Sequence, residues 1–249
     1  MRSDTFLRAL VIAVFVGALE ALCDFGVIPK AVMPSPSAMF RSMYEILSTG
    51  EFNQAIAVTL SSVAIALVAS VVIGVALGAL IYSLPRFRRA LEPFLASYYA
   101  VPSFLFYPVL ILFLGVGRTS IIMLATMMGI VAIIVATLAG LDSVPRVLVR
   151  TAYVFHMNRM RIALLVQFPS AAPYLFSGIK LAVAYSFIGV LASEFILSGD
   201  GLGYNIADAY NQFDNRIMYG LMLLVIVVVT LINSILHAMD QRLQSRRQR

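Results

Sequence analysis

The histidine and cysteine side chains of this sequence are too few and too far apart to form a catalytic or metal-binding group. The two histidines, His156 and His237, lie eighty-one residues apart, and the one cysteine, Cys23, has no second cysteine to pair with. A metal site or a nucleophile with its base needs several such groups in one place, and no glycine-rich phosphate loop ending in Gly-Lys-Ser/Thr occurs. The sequence therefore predicts no catalytic residue, no cofactor site and no metal ligand.

Glu194 and Lys180 remain as candidates because they fall within a segment that is otherwise apolar. A charged side chain at the centre of a bilayer costs about 2.5–3.5 kcal/mol on insertion scales, which makes it a candidate for function. For Glu194 two interpretations stay open: a carboxylate that takes part in gating, or one capped by the turn at 199–204. For Lys180 we expect the long side chain to reach the nearby membrane surface.

The background of these residues is unusually apolar. Of 249 residues, 61% are hydrophobic and 12% are charged, against roughly 45–50% and about 25% in an average soluble domain. A soluble fold would have too little polar surface to cover so much apolar side chain, and in lipid a helix satisfies its own backbone. The composition predicts an all-α, polytopic membrane protein, and the net charge of +6 comes from short basic clusters typical of membrane loops rather than of nucleic-acid binding.

Uncharged runs of about 20 residues are long enough to cross the bilayer. Four runs are free of charge and two more contain ionisable residues, which predicts one membrane domain over 1–249 with about six transmembrane helices. We expect the first helix to be retained, because Glu20 and Leu22 are poor cleavage-site chemistry before Cys23. The predicted helices are 5–25, 55–82, 93–114, 119–141, 173–197 and 217–239.

The basic residues predict the orientation of these helices. A six-helix topology places thirteen of the eighteen basic residues on the side of the two termini and four on the opposite side, with Lys180 inside a helix. Basic residues are in excess in cytoplasmic loops. We therefore expect a bacterial inner-membrane protein with both termini in the cytoplasm.

The cytoplasmic segment 142–172 is rich in helix formers. Pro145 can open a helix, and Pro169 and Pro173 are expected to close the region, so that two short helices meet near 156–158. The segment fits an amphipathic interfacial element or a docking surface. We expect its arginines to face water or a partner and its apolar side chains to pack inward. The arginines are Arg146, Arg150, Arg159 and Arg161, and the apolar residues are Val147, Leu148, Tyr153, Leu164 and Leu165.

Two prolines disturb the predicted helix 93–114. Pro102 and Pro108 each remove a backbone donor, so a bend or break is expected. At membrane depth such irregularity is tolerated only against protein or a water-filled cavity. This helix is therefore the best candidate for lining a passage. Its polar candidates are Ser97, Tyr98, Tyr99 and Ser103.

The cytoplasmic segment resembles the permease subunits of type I ABC importers, whose signature runs Glu-Ala-Ala, three residues, Gly, nine residues, Ile, one residue, Leu-Pro. Ala152 and Pro169 match it, while Arg150 stands at the Glu position and His156 at the Gly position. We expect Asn158 to take the left-handed backbone that Gly supplies in the family. Further strings similar to the nitrate/sulfonate/taurine branch are Met33-Pro34-Ser35-Pro36, Val101-Pro102, the run from Tyr107 to Gly117, Gly178-Ile179-Lys180, Ala192-Ser193-Glu194 and Gly201-Leu202-Gly203-Tyr204.

The resemblance implies the type I importer permease fold, with 142–172 as the coupling-helix segment, and uptake of a small solute such as a sulfonate, a nitrate-like ion or another small organic anion. It implies as partners two cytoplasmic ATPases that bind the ATP and Mg, a second permease copy of the same or a different chain, and a periplasmic solute-binding protein. A secondary transporter and a non-transporting adaptor remain as alternatives. The residues expected to dock the ATPase are Arg150, Thr151, Ala152, His156, Asn158, Arg159 and Pro169. The residues expected to form the passage and gate are Tyr98, Tyr99, Pro102, Ser103, Ser186, Glu194, Gly201, Gly203 and Tyr204.

Overall fold

Helices joined by turns make up the fold, and the described residues contain no strand, which confirms the all-α class. The structure is a computed structural model that describes residues 2–29, 32–98 and 101–247. The helices are α1 (Arg2–Asp24), α2 (Pro36–Thr49), α3 (Asn53–Ser83), α4 (Pro85–Ser97), α5 (Tyr107–Leu114), α6 (Arg118–Asp142), α7 (Arg146–Val154), α8 (Arg159–Ile162), α9 (Phe168–Leu197), α10 (Leu202–Asn211) and α11 (Asn215–Arg247). A 3₁₀ turn, Ser103–Phe106, precedes α5, and a π turn, Ala163–Gln167, joins α8 to α9.

Several of these helices are suited to a bilayer. Within the described residues, four helical stretches are long and apolar enough to cross it. They are Asn53–Ser83, Arg118–Asp142, Arg159–Ile196 and Asn215–Gln241. The stretch Ser103–Leu114 is apolar but shorter, and α1 runs for 23 residues at the position of the first predicted crossing. The number of six crossings stays a prediction.

The core of the bundle is α6, which packs between α3 and α9. Leu124 of α6 and Val190 of α9 are fully buried. The backbones of α3 and α6 approach closely: a Cβ added at Gly74 would lie 2.6 Å from the Cβ of Ile133. Small residues at such contacts are the usual means by which membrane helices pack, because lipid supplies no hydrophobic drive for their association.

The helix predicted over 93–114 is interrupted. α4 begins at Pro85, ends at Ser97, and is followed by an extended residue at Pro102 before the chain turns into α5. The expected break is therefore confirmed, whereas a single helix was wrong. Pro102 lacks a backbone N–H and disfavours the helical region for Val101 before it, so a continuous helix through this position into α5 is disfavoured.

The other correction concerns the prolines at the start of α9. We expected Pro169 and Pro173 to close the cytoplasmic segment, but the helical run continues through both from Arg159 to Ile196. Pro169 follows directly on the π turn and Pro173 lies inside α9, so each removes one backbone hydrogen bond from the helical run, a loss that membrane helices tolerate where neighbouring groups satisfy the freed backbone. The π turn lets the backbone change pitch between α8 and α9 without ending the helix.

Candidate functional site

A buried carboxylate joins three helices at the end of the bundle opposite α7 and α8. Glu194, near the end of α9, is 1% exposed. Thr59 of α3 lies with its hydroxyl oxygen 3.0 Å and 2.8 Å from the two carboxylate oxygens and donates to them. The backbone N–H of Gly203 donates to the same carboxylate over 3.0 Å, and that of Leu202 donates to the Thr59 hydroxyl over 2.8 Å. Glu194 and Thr59 therefore satisfy two orphan donors in the first turn of α10.

The turn between α9 and α10 fits around this carboxylate because it contains glycines. Gly201 has a φ of +103°, and a Cβ there would lie 2.3 Å from the carboxyl carbon of Glu194. A Cβ on Gly203 would lie 2.5 Å from the carbonyl oxygen of Leu191. The Gly-Leu-Gly string is thus required by close approach to the α9 backbone and to Glu194.

This arrangement ties the start of α10 to α3 and α9. A carboxylate at a helix N-terminus is favoured by the dipole and by the free N–H groups there. Because the side chain is enclosed by α3, α9 and α10, it corresponds to the capped interpretation of Glu194 in this conformation. Arg118, at the start of α6, lies nearby and donates through Nε to Ser62 of α3 over 3.0 Å.

The other residues predicted for the passage form a separate group at the break between α4 and α5. Tyr98 donates its hydroxyl to the Met127 carbonyl of α6 over 3.0 Å. A cavity of about 160 Å³ lies beside it and includes Pro102 and Ser103. The remaining lining residues are Val101, Phe104, Met128 and Tyr185.

Two other predicted passage residues do not join this group. Tyr99 lies outside the described residues. Ser186 is fully buried, and its hydroxyl has no hydrogen-bond partner in the described part of the chain. The predicted set therefore divides into an enclosed cluster around Glu194 and an open one around Pro102, and its role in transport stays a prediction.

The docking segment has the two short helices that were expected, with a different backbone at the turn. His156 itself takes the left-handed conformation, with φ of +55°. Asn158 has φ of −71° and caps α8 by accepting a hydrogen bond from the N–H of Arg161 over 2.8 Å. The expectation that Asn158 replaces the glycine of the family signature is therefore wrong, because an Asn side chain is worth more at the N-cap.

The faces of this segment also differ from expectation. Its five apolar side chains predicted to pack inward are all exposed, by 46–70%. Ala152 of α7 and Ile162 of α8 are the buried residues instead. α7 has nine residues and α8 four, so each offers only a narrow face to the bundle. Four arginines and an apolar patch therefore share one exposed surface, while Thr151 and Pro169 are exposed beside it.

Comparison with known families identifies the chain. A family model described as "binding-protein-dependent transport system inner membrane component" matches residues 70–249, which span α4 to α11 and include Glu194 and the group around Pro102, but not Thr59. The chain belongs to this family. It is a permease component of a transport system and a multi-pass protein of the inner membrane, as the resemblance predicted.

The relatives of this permease are named for different solutes. The riboflavin transport permease RibX of Chloroflexus aurantiacus is 29% identical, over 86% of this chain and 80% of the relative. The nitrate import permease NrtB of a Synechocystis species is 27% identical, over 82% and 76%. The taurine permease TauC of Escherichia coli is 24% identical, over 93% and 86%.

Solved structures share the fold of this permease. An inward-facing form of the MetNI methionine ABC transporter has a chain that matches with a TM-score of 0.67 and 18% identity, over 77% of this permease and 95% of that chain. An amino acid ABC transporter crystallised with histidines matches with a TM-score of 0.60 and 15% identity. The predicted importer permease fold is therefore confirmed.

Lys180 of the permease is held by a partner that the sequence did not indicate. Its ammonium group lies 2.5 Å from Asp240 of α11 and 5.8 Å from the centre of the Phe176 ring. Asp240 is 7% exposed. Asp240 stands next to the end of the membrane-crossing stretch Asn215–Gln241, so the expectation that Lys180 reaches toward the membrane surface stays a prediction.

A second ion pair joins α4 to α6 near the docking segment. Arg88 donates to both carboxylate oxygens of Asp142. That hydrogen bond raises the pKa of the Arg88 guanidinium above its ordinary value. Both groups are partly exposed, so the pair fixes geometry more than it stabilises the fold.

A row of polar side chains on α11 was also missed. Its members recur every three or four residues, so they lie on one face of the helix, and all of them are exposed. They line a groove of about 490 Å³ together with Ala238. The helical spacing of these polar residues can be seen in the sequence. It was overlooked because the segment was interpreted only as an uncharged run long enough to cross the membrane. The residues are Thr230, Asn233, Ser234, His237 and Gln241.

Proposed function

We propose that this chain is the membrane-spanning subunit of an ATP-driven importer and forms half of a gated passage for a small solute. The observation that carries the proposal is the exposed surface of α7 and α8. It joins arginines and apolar side chains on two short helices that lead directly into α9. Because α6 and α9 form the core on either side of it, a force on this segment reaches the membrane helices.

The partner that docks there is a cytoplasmic ATPase, which binds the ATP and the Mg. Thr151 and the exposed arginines supply polar contacts, and the apolar patch supplies area to bury. Arg150 carries a positive charge where the family signature has Glu, so the ATPase surface that receives it should be acidic. Ala152 and Pro169 contribute by shaping the segment.

A second copy of this chain, or a related one, completes the passage. The polar row of α11 supports this part of the proposal, because hydrocarbon cannot hydrogen-bond the amide of Asn233, while one ring nitrogen of His237 pairs with Gln241 over 3.1 Å. Another protein surface or a water-filled passage between two copies satisfies these groups. A periplasmic binding protein delivers the solute to the end of the bundle that carries α10.

Crosslinking tests the docking surface. Single cysteines are placed at Arg150, His156 and Arg159 in a Cys23→Ser background, and each variant is co-expressed with the partner ATPase. We expect crosslinks to the ATPase from at least one position, and none from a matched control at Gln212, which is exposed at the other end of the bundle. A complex that still transports but gives no crosslink from any of the three removes the docking proposal.

Transport assays separate the importer from its rivals. In proteoliposomes containing the permease, the ATPase and the binding protein, uptake should require ATP hydrolysis. Uptake driven by an ion gradient without ATP indicates a secondary transporter. Co-purification with an ATPase without uptake of any solute indicates an adaptor.

A further inference from the structure

The cavity at the break between α4 and α5 has an unusual lining for a passage that would carry anions. Three aromatic rings, those of Tyr98, Phe104 and Tyr185, surround it together with the thioether of Met128. The hydroxyl of Ser103, 7% exposed, is the small polar group of the wall. None of the lining residues within the described part of the chain carries a formal charge.

The cavity opens from the described chain rather than being sealed inside it. Val101 and Phe104 are each 46% exposed, whereas Ser103 is buried beneath them. The 3₁₀ turn that begins at Ser103 supplies non-α-helical backbone within the membrane-spanning part of the fold. Such backbone is tolerated in a bilayer where it lines a water-filled space or packs on protein.

An anion would find little stabilisation in this wall. A carboxylate or sulfonate that leaves bulk water needs cations or several hydrogen-bond donors to replace its hydration. The hydroxyl of Tyr98 already donates to Met127. No cation belongs to the described lining: Lys180 is paired with Asp240, Arg118 donates to Ser62 of α3, and neither residue lines the cavity.

A planar aromatic ring finds favourable contacts here. Aromatic pairs gain about 0.5–1.5 kcal/mol beyond the area they bury, and a thioether packs well on a ring edge. The volume of about 160 Å³ is sufficient for one ring, since an apolar cavity of about 150 Å³ binds benzene.

We propose that this cavity is a solute subsite that takes an uncharged, planar aromatic or heteroaromatic ring, so that the importer selects for such molecules and against nitrate-like ions and sulfonates. The inference rests on the proposed function, because it places the solute path beside the broken helix. Phe104, Met128 and Tyr185 then become specificity-determining residues in addition to Tyr98 and Ser103.

Two probes that share a ring and differ in charge test the chemical class. Ser103→Cys and Val101→Cys are made separately in the Cys23→Ser background of the assembled complex, and modification by N-ethylmaleimide is timed. Benzamide at millimolar concentration should slow the modification at least threefold at both positions. Benzenesulfonate should leave the rates unchanged, and so should methanesulfonate. Gln212→Cys, at an exposed position at the end of α10 and away from the cavity, is the matched control, and none of the three probes should protect it.

The outcomes separate failure of the inference from failure of the proposed function. If benzenesulfonate or methanesulfonate protects as well as benzamide, or if no probe protects, the aromatic class is wrong while a reachable passage remains. If N-ethylmaleimide modifies neither cysteine in a complex that transports, the solute path does not reach this cavity and the inference is overturned. The ATPase crosslinks are read out independently in both cases.

Discussion

The hydroxyl of Thr59 donates to the buried carboxylate of Glu194, which lies 135 residues further along the chain. Together they accept the N–H groups of Gly203 and Leu202 at the start of α10. One side chain from α3 and one from α9 thereby hold a third helix. Any movement that separates α3 from α9 at this end must break the hydrogen bond between Thr59 and Glu194. It must also detach α10 from one of the two helices.

Removal of the Thr59 hydroxyl should weaken this end of the permease. Thr59→Val keeps the shape but removes the hydroxyl that donates to Glu194 and leaves the Leu202 N–H without its acceptor, at a cost of about 1–3 kcal/mol. We expect a lower thermal unfolding midpoint for the purified complex, whereas Thr59→Ser, which keeps the hydroxyl, should stay close to the wild type. Equal midpoints for the Val and Ser variants would show that the hydrogen bonds contribute nothing.

Glu194→Gln separates a gating role from a structural one. The amide keeps the shape but replaces one carboxylate oxygen with an NH2 donor, so a single oxygen must accept from both Thr59 and Gly203. If the capped carboxylate only stabilises α10, the variant should unfold at lower temperature yet transport per assembled complex should be unchanged. Reduced transport with altered ATPase regulation in a normally stable complex would instead assign Glu194 to the gate.

Gly201 and Gly199 should respond very differently to alanine. A Cβ at Gly201 would overlap the Glu194 carboxyl group and sit on a backbone with φ of +103°, whereas a Cβ at Gly199 meets nothing within 4 Å. Gly201→Ala should therefore cost about 3 kcal/mol or more, seen as poor assembly or a much lower unfolding midpoint. A Gly201→Ala variant as stable as Gly199→Ala would contradict the packing of this turn.

The pair of Lys180 and Asp240 should show strong coupling between α9 and α11. Lys180→Met leaves a carboxylate of 7% exposure without its counter-charge, and about 2 kcal/mol of stability should be lost. Asp240→Asn should also destabilise, while the double variant should recover much of the loss. Strictly additive effects in this cycle would mean that the two charges do not stabilise each other.

His156→Gly should stabilise the docking segment. His156 holds a φ of +55°, a conformation that costs a non-glycine residue about 1 kcal/mol or more and glycine almost nothing. We expect a gain of about 0.5–1 kcal/mol in the unfolding free energy. Thr151→Gly, in the helical backbone of α7, is the control and should lose a similar amount. A destabilised His156→Gly would indicate that the imidazole makes contacts that outweigh the strain.

Part of this protein follows from the sequence without the fold. Apolar runs identify the membrane helices because hydrocarbon admits only self-satisfied backbone. Pro102 marks a candidate break because its ring removes a donor, although Pro93 and Pro173 lie inside helices. The two short helices around 156–158 were visible for the same local reasons. These features depend on residues close together in the chain.

Tertiary structure alone decided the features that depend on distant residues. Nothing near Glu194 in the sequence indicates Thr59, and nothing near Lys180 indicates Asp240, because the packing of α3, α9 and α11 brings them together. The left-handed turn at His156 was assigned to Asn158 from propensity, yet the cap of α8 required Asn158 elsewhere. The exposure of the apolar side chains of α7 also depends on tertiary structure. Only a small part of the bundle packs against α7, and the sequence of α7 does not determine how much.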